Sequence, residues 1–405
     1  MLYRTMPKSD DQLSILGFGC MRFPQVKGKI DEARSTAQIE YAIENGINYF
    51  DTAFPYHMGA SEPFLGKALS GGLRDKVYIA TKLPPWSIKT AEDMDRILDI
   101  QRSKLQTEYI DYYMIHTLNR TSWRRLKELG VYDFLERAKK DGRIRHTGFS
   151  FHGEREVFPE IIDDYDWTFC QIQYNYLDIN FQAGTLGLKH AAKKDVGVIV
   201  MEPLRGGNLA KTPPAAIQEI WDESKIKRTP AEWALRWIWD HPEVCVVLSG
   251  MTEESNIEEN LRIAAEAHPQ TLSSDERQLV TQAQKKYHKL MKAGCTGCGY
   301  CMPCPSGVDI PTCLKNYNDY HLFDKSENAK MLYFQTSGIT GGKPSYASLC
   351  NECGQCIDQC PQQLPIPELL KEVTKDFEGW TFKWKIRMFR ILIVVQRFFM
   401  FRSKP

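Results

Sequence analysis

Residues 48–69 read NYFDTAFPYHMGASEPFLGKAL, a short apolar run that passes directly into polar side chains. The run ends at Asp51, and Tyr56 follows five residues later. Apolar runs of this kind recur along the chain, and longer stretches with helical periodicity separate them. The segment is therefore predicted to be one unit of a repeating β/α fold, with polar residues at the carboxyl end of its strand.

Eight such runs predict eight parallel strands. They lie at residues 15–21, 48–53, 77–82, 110–116, 144–151, 168–174, 196–202 and 244–250. Several are apolar throughout, as parallel strands are when helices cover both faces of the sheet. Thr229 and Pro230 indicate a helix start, because threonine can cap a helix and proline fits its first turn. Eight β/α units in about 250 residues match a (β/α)8 TIM barrel of the α/β class, and residues 2–12 are expected to form a hairpin closing its bottom.

The overall composition is that of a soluble protein with more than one domain. The 405 residues suggest about two to three domains. A formal net charge of +1 gives no general attraction to nucleic acid, so no nucleic-acid partner is expected. Residues 1–11 lack the apolar core of a signal peptide, and no uncharged apolar run reaches the length of a membrane span. These features predict a cytoplasmic protein.

Polar residues at the predicted strand ends form the candidate active site. TIM barrels carry their chemistry at the carboxyl ends of the strands. The second strand runs into Asp51 and Tyr56, the third ends at Lys82, and the fourth ends at His116. One such residue alone is more often structural, and it is the joint pattern that indicates catalysis.

Residues 48–69 resemble the signature of the aldo/keto reductases, Asp-Thr-Ala-x-x-Tyr, Gly-x-Ser-Glu and Leu-Gly-x-Ala-Leu. The resemblance covers residues 12–265. It implies a nicotinamide-dependent oxidoreductase that interconverts a carbonyl and an alcohol on a small molecule. By this match, the catalytic tetrad of the chain is Asp51, Tyr56, Lys82 and His116.

Elementary chemistry supports these roles. Hydride addition to a carbonyl leaves an alkoxide, which Tyr56 can protonate. A free tyrosine has a pKa near ~10, and the Lys82 ammonium would lower it by stabilising the phenolate. Asp51 would hold Lys82 charged. A neutral His116 could hydrogen-bond the carbonyl oxygen and align it.

The same resemblance implies an extended NAD(P)H across strands five to eight. Ser150 and Gln171 would hydrogen-bond the carboxamide, and the backbone of Gly206 and Gly207 would approach the pyrophosphate. The remaining residues expected to bind the cofactor are Met201, Pro203, Leu204, Ser249, Gly250, Asn256, Glu259 and Asn260.

Three positions depart from the family pattern. Phe151 follows the serine where the family often has asparagine, and Met201 stands where an aromatic residue often stacks on the nicotinamide. Residues 249–261 contain four glutamates and no Lys or Arg, with only Arg262 near in sequence. The resemblance implies NADPH, and NADH is the alternative because a 2′-phosphate is best met by a cation.

Nine of the twelve cysteines fall between residues 295 and 360. They form Cys-x2-Cys-x2-Cys-x2-Cys-Pro from residue 295 and Cys-x2-Cys-x2-Cys-x3-Cys-Pro from residue 350, the second being the bacterial ferredoxin pattern. Because the fourth cysteine of each motif ligates the other cluster, two 4Fe–4S clusters are predicted. Their ligand sets are Cys295, Cys298, Cys301 and Cys360 for the first, and Cys350, Cys353, Cys356 and Cys304 for the second. Zinc held by paired Cys-x2-Cys motifs is the alternative. Buried thiols without a metal are expected at Cys20, Cys170, Cys245 and Cys313.

A barrel followed by such a domain resembles a group of iron–sulfur aldo/keto reductases. The predicted domains are the barrel at 1–285, a small ferredoxin-like helical domain at 286–375 and a C-terminal helix at 376–405. Residues 379–405 hold seven cations and no acid, with aromatic residues interleaved. Such a helix either lies at an anionic membrane surface, here the inner face, or packs on protein.

Two functions remain open at this point. In the first, the barrel is an enzyme, and the clusters are structural or pass electrons to a partner. In the second, the chain is a redox sensor or electron-transfer adaptor that uses the barrel only for binding. The intact tetrad favours the enzyme.

Overall fold

The computed structural model describes residues 1–295, 301–322, 327–338, 343–360 and 364–389. The chain divides into two compact units. The barrel unit comprises Met1–Lys211 and Ile226–Val280, and the cysteine-rich unit comprises Thr212–Lys225 and Thr281–Pro405. The domain boundaries at 285 and 375 stay predictions. Cys298 and residues 390–405 of the C-terminal helix lie outside the described residues.

An antiparallel hairpin closes the amino end of the barrel, as expected for residues 2–12. It pairs β1 (Tyr3–Thr5) with β2 (Gln12–Ser14). Met6, in its turn, is fully buried in the barrel core, where a Cβ on Gly197 would lie 2.0 Å from the Met6 sulfur. The first barrel strand, β3 (Leu16–Gly19), follows, and a second hairpin pairs β4 (Gln25–Val26) with β5 (Lys29–Ile30).

Eight parallel strands close into a barrel, which confirms the predicted fold class. After β3 come β6 (Tyr49–Asp51), β7 (Tyr78–Leu83), β8 (Ile110–Leu118), β9 (Ile144–Phe151), β10 (Phe169–Gln173), β11 (Gly197–Met201) and β12 (Val244–Ser249). Each strand pairs with the next in the chain, and β12 pairs with β3. All eight carboxyl ends therefore meet at one rim.

Helices alternate with the strands. They are α1 (Glu32–Glu44), α2 (Ser61–Ala68), α3 (Ala91–Lys104), α4 (Arg120–Glu128), α5 (Val131–Lys140), α6 (Val157–Asp164), α7 (Gly184–Lys193), α8 (Ala215–Asp222), α9 (Pro230–Trp239), α10 (Glu254–Ala264) and α11 (Ser274–Leu290), with short 3-10 helices at Tyr56–Gly59, Arg74–Lys76, Pro85–Ser87 and Arg205–Ala210. Of these, α8 belongs to the cysteine-rich unit, and α11 passes from the barrel unit into the cysteine-rich unit after Val280. The predicted start of α9 is confirmed, because the Thr229 hydroxyl accepts a hydrogen bond from the Glu232 N–H at 3.1 Å.

The other regular elements of the cysteine-rich unit, among its described residues, are helices. The unit contains α12 (Ile310–Leu322), α13 (Glu327–Thr336), a 3-10 helix at Ala347–Leu349, α14 (Gln355–Asp358), α15 (Ile366–Phe377) and a helical segment at 382–389. Its core includes Val308, Leu314 and Val373, and six of the predicted cluster cysteines pack against it. Cys313 is buried in this core, and Cys20, Cys170 and Cys245 are buried elsewhere, as expected. Within the described residues, no helix is both long and apolar enough to cross a membrane.

Candidate active site

A buried ion pair joins the ends of two neighbouring strands at the carboxyl rim. Lys82 Nζ on β7 lies 2.6 Å from Asp51 Oδ1 on β6 and donates to the carbonyl of Thr52 at 2.7 Å. Both side chains of the pair are almost fully buried. Parallel pairing of Asp51 with Ala80, two residues before Lys82, sets this separation.

The Ser-Glu part of the signature has a structural role. The Ser61 hydroxyl contacts the Thr52 hydroxyl at 2.9 Å and donates to the Cys20 carbonyl at 3.0 Å. The buried Glu62 accepts from Thr81 at 2.8 Å and from Gln101 at 2.6 Å. The start of α2 is therefore fixed to the two strand ends that carry the ion pair.

Tyr56 and His116 complete the arrangement expected from the sequence. Lys82 Nζ lies 4.9 Å from the centroid of the Tyr56 ring. The Tyr56 and His116 rings meet edge to face, with centroids 6.3 Å apart. Trp86, which the sequence analysis missed, packs on His116 with ring centroids 5.2 Å apart. All four predicted tetrad residues are thus brought together.

Burial and the ion pair determine the protonation states. Burial by itself would lower the pKa of Lys82, but Asp51 and Tyr56 outweigh it and raise that pKa. Burial raises the pKa of Tyr56, and the Lys82 ammonium opposes this rise. Burial, the Lys82 charge and His152 hold the pKa of His116 well below its usual range. The site therefore holds a charged lysine, a protonated tyrosine and a neutral histidine near neutral pH.

The residues expected to bind the carboxamide lie side by side on adjacent strands. Ser150 on β9 pairs in register with Gln171 on β10, and both are buried. Ser150 Oγ accepts from the Thr117 N–H at 2.8 Å. Gln171 Nε2 contacts the Met201 sulfur at 3.5 Å, while its Oε1 has no hydrogen-bond partner within the described residues. The unmet acceptor is available to a ligand amide.

After β11 the chain makes a turn that includes Pro203, Leu204, Gly206 and Gly207. Gly206 and Gly207 have φ values of 69° and 94°, a region that glycine enters without strain. Pro203 is buried and Leu204 is half-buried beneath the turn. The next residue, Asn208, is buried with neither side-chain polar atom hydrogen-bonded within the described residues. Sequence reasoning missed Asn208, for which no pattern gives a signal.

The residues expected to border the adenosine differ in the hydrogen bonds that their side chains already make. Asn260 Nδ2 donates to Ser249 Oγ at 3.0 Å, and both are buried. Asn256 caps α10 by accepting from the Glu253 N–H at 3.3 Å. Glu259 accepts from the Thr229 hydroxyl at 2.6 Å. Gly250 lies at the mouth of the barrel, beside Arg22.

Arg262 is the cation nearest in sequence to the glutamates of residues 253–259, but the fold brings a second cation to them. Arg34, on α1, donates to Glu254 at 2.5 Å and to Glu253 at 2.6 Å. The sequence could not show this contact because 220 residues separate Arg34 from Glu254. Arg262 itself pairs with Glu232 at 2.8 Å.

Seven of the eight predicted cluster ligands are among the described residues. One cavity of about 180 Å³ is lined by five of them, Cys301, Cys304, Cys350, Cys353 and Cys356. Burial raises the pKa of the Cys356 thiol, and its neighbours Cys350, Cys304 and Cys353 add to the rise. These three neighbours are the residues with which the sequence analysis groups Cys356. In the described parts of the chain, no three ligand side chains converge as they would on a single metal ion.

The five cysteines that line this cavity surround a space, an arrangement that fits a multi-atom cluster. The backbone N–H of Glu352 donates a hydrogen bond to Cys350 Sγ at 3.4 Å. Cys295 and Cys360, assigned to the first cluster, pack against the core of the same unit.

Comparisons with known proteins divide the chain in the same way. The aldo/keto reductase family model matches residues 15–283, and a 4Fe-4S dicluster domain model matches residues 294–364. L-galactose dehydrogenase of Arabidopsis thaliana is 27% identical over 296 residues, which are 68% of this chain and 91% of that protein. Protein tas of Escherichia coli is 30% identical over 221 residues, 45% of this chain and 63% of its own length. The aldo-keto reductase AKR11C1 from Bacillus halodurans, in its holo form, has a TM-score of 0.60 at 27% identity, covering 70% of this chain and 96% of that one.

We predict that Lys82→Met destabilises the protein by about 3–5 kcal/mol, because it leaves the buried Asp51 charge without a partner. The added substitution Asp51→Leu should recover part of that loss. Burial raises the pKa of Asp51. In Lys82→Met the pKa of Asp51 is therefore higher in the folded state than in the unfolded state. Stability is then retained at low pH and is lost as the pH rises through the folded-state pKa of Asp51.

Denaturant unfolding followed by circular dichroism, at pH 5 and pH 8, measures both effects. A double variant no more stable than Lys82→Met, or a deficit independent of pH, would contradict this account of the pair.

Proposed function

The chain belongs to the aldo/keto reductase family, and on that premise we propose that its barrel interconverts a small-molecule carbonyl and the corresponding alcohol. The family membership makes it an NAD(P)H-dependent oxidoreductase, and the C-terminal region carries a 4Fe-4S dicluster domain. The proposal rests on one observation above all, the buried Lys82–Asp51 pair beside the Tyr56 ring.

A nicotinamide held by the residues of β9 to β12 would supply the hydride that reduces the carbonyl carbon. Tyr56 then donates its phenolic proton to the alkoxide oxygen that results. The charged Lys82 stabilises the phenolate left behind, and Asp51 keeps Lys82 charged in a site that excludes water. In alcohol oxidation the same groups work in reverse, with the phenolate as the base.

His116 is proposed to orient the substrate. Its pKa lies well below the usual range, so it is neutral and can donate one hydrogen bond to the carbonyl oxygen without competing for the proton. Its Nδ1 is buried without a hydrogen-bond partner in the described residues. Trp86, packed on the ring, holds it in place.

The cofactor is proposed to lie along β9 to β12 with its carboxamide at Ser150 and Gln171. The unpaired Oε1 of Gln171 supports this, since a carboxamide N–H would satisfy it. NADPH is the form that the resemblance implies. NADH is the alternative, because the acidic side chains of Glu253 and Glu254 lie on the side proposed for the adenosine.

We further propose two 4Fe–4S clusters, with the ligand sets given by the sequence. Cys304, Cys350, Cys353 and Cys356 line one cavity, which supports the second set, and Cys301 of the first set lines the same cavity. The clusters either hold the fold of the cysteine-rich unit or pass electrons to a partner.

The C-terminal helix is proposed to contact an anionic membrane at its inner face. In the described part, Phe382 and Ile386 are buried in the core of the cysteine-rich unit. Trp380 is 98% exposed and Trp384 is 63% exposed, and Lys383 is exposed beside them. Aromatic and basic side chains on one accessible face suit the headgroup region of a bilayer.

Tyr56→Phe should lower carbonyl reduction by about 10²–10⁴-fold, because one proton donor is lost. Nicotinamide binding should be unchanged. Tyr78→Phe, at the amino end of β7, removes a phenol from the opposite end of the barrel and should leave turnover intact. Steady-state rates with an aldehyde panel, together with cofactor titration, measure this. Unchanged turnover in Tyr56→Phe would remove Tyr56 from the mechanism.

The protein purified without oxygen should contain about eight iron atoms per chain, four in each of two clusters. Cys304→Ala should remove the cluster that it shares with Cys350, Cys353 and Cys356, whereas Cys313→Ala, a buried thiol of the same unit, should keep the full iron content. Iron and sulfide analysis with electron paramagnetic resonance decides between these outcomes. Stoichiometric zinc without iron would refute the assignment.

The full-length protein should sediment with phosphatidylglycerol vesicles at low salt and be released as salt rises, since charges are screened over ~10 Å at 0.1 M. A double Trp380→Ala, Trp384→Ala variant should stay in the supernatant. Met331→Ala, which removes another exposed apolar side chain of the same unit, should sediment normally. If the unsubstituted protein does not sediment, the membrane proposal fails.

A further inference from the structure

Tyr56, the proposed proton donor, begins a turn with an uncommon backbone conformation. The next two residues, His57 and Met58, have φ values of 51° and 55°, in the left-handed region. Residues other than glycine enter this region at a cost in free energy, and two in succession persist only where surrounding contacts hold them. The Met58 side chain is 71% exposed and supplies few contacts, whereas the His57 ring is half-buried.

The His57 ring is held by the segment that leads into the β4–β5 hairpin. The Phe23 N–H donates to His57 Nε2 at 3.3 Å, and the side-chain nitrogen of Gln25 lies 2.9 Å from His57 Nδ1. The ring also packs against the Phe23 ring, with centroids 5.7 Å apart. Each ring nitrogen therefore has a partner, and the turn after Tyr56 is tied to a segment that lies 34 residues earlier in the chain.

The segment that holds this ring is itself anchored in the barrel. Phe23 is buried, and its ring stacks on Phe18 of β3 with centroids 6.0 Å apart. It also meets Phe64 of α2 edge to face at 5.0 Å. The Pro24 carbonyl accepts from the Asp31 N–H at 2.8 Å, which closes the base of the hairpin. The support for the histidine ring is therefore part of the packed scaffold and not of the turn that it holds.

A neutral ring suits these contacts. Because the Phe23 N–H donates to Nε2 of His57, that nitrogen carries no proton, and a neutral ring has its proton on Nδ1. The amide oxygen of Gln25 can accept that proton when the amide is rotated end for end. Burial lowers the pKa of His57, which keeps the ring neutral near neutral pH.

We propose that His57 is a positioning residue, which holds the turn that begins at Tyr56 and so keeps the phenol within reach of the substrate oxygen. This inference rests on the proposed function, in which Tyr56 donates the proton. The Tyr56 N–H donates to the Ala53 carbonyl at 3.0 Å. The Ala60 N–H donates to the His57 carbonyl at 3.1 Å, so the tie from the hairpin reaches the middle of a short hydrogen-bonded turn. A displacement of the donor by about 1 Å lowers the rate although the phenol remains.

Steady-state kinetics of His57→Gly with the aldehyde panel test the inference. Glycine adopts the left-handed conformation without strain but lacks the ring, so kcat should fall by about 10- to 100-fold. KM and the Kd of the nicotinamide cofactor should stay unchanged. An unchanged kcat would mean that the position needs only the left-handed conformation, and it would overturn the inference.

A second set of variants tests whether the hairpin supplies the support. Gln25→Ala should lower kcat by a smaller factor than His57→Gly. The double variant should be no slower than His57→Gly, because both substitutions break the same tie. Lys29→Ala, which truncates an exposed side chain on the same hairpin, should leave kcat unchanged. Losses that multiply in the double variant would contradict a shared tie.

Amide hydrogen exchange of the full-length, cluster-loaded protein gives a readout that does not depend on turnover. Residues 53–60 should exchange faster in His57→Gly than in the unsubstituted protein, whereas α6, on the opposite side of the barrel, should be unchanged. Equal exchange of residues 53–60 in the two proteins would overturn the inference. If the unsubstituted protein reduces no aldehyde, the proposed function fails, and this exchange alone decides whether His57 holds the turn.

Discussion

The buried pair of Lys82 and Asp51 is the interaction on which the rest of the site depends. Removing an ammonium and a carboxylate from water costs several kcal/mol for each ion, and only close pairing with further hydrogen bonds offsets this. The barrel meets that condition by pairing β6 and β7 in a register that sets the two groups 2.6 Å apart. A slip of one residue would turn one of the side chains to the other face of the sheet. The register of β6 against β7 is therefore a requirement for the charge on Lys82, and this charge in turn acts on Tyr56 and His116 in opposite ways. It favours the phenolate of Tyr56 and disfavours the imidazolium of His116.

The cysteine-rich unit is subject to a different constraint, the small size of its apolar core. Six cysteines assigned to clusters pack against that core. Metal–sulfur bonds would then add the stability that apolar burial alone gives poorly in a unit of this size. Hydride chemistry moves two electrons together, whereas a 4Fe–4S cluster accepts one, so a direct redox link between barrel and clusters would need an additional carrier such as a flavin. This difference favours separate roles for the two units.

The sequence predicted those features that repeat or that lie close together in the chain. The apolar runs located all eight strands, because buried parallel strands need continuous apolar side chains. The polar residues that follow them predicted four side chains that the structure brings together. Contacts between distant segments leave no such signal. Arg22 meets Gly206 across 184 residues, and Arg34 meets Glu254 across 220. Two further features could not be predicted from the sequence, because each depends on which surfaces meet after folding. They are the assignment of residues 212–225 to the cysteine-rich unit and the burial of Phe382 in its core.

The central claim is that Tyr56, acting under the influence of the Lys82–Asp51 pair, transfers the proton in both directions of the reaction. The pH dependence of kcat for carbonyl reduction and for alcohol oxidation, measured on the same protein, tests it most directly. Reduction needs the phenol and oxidation needs the phenolate, so the account predicts that reduction falls and oxidation rises through one shared ionisation on the alkaline side of neutrality. Profiles that rise or fall together, or two unrelated ionisations, would contradict it.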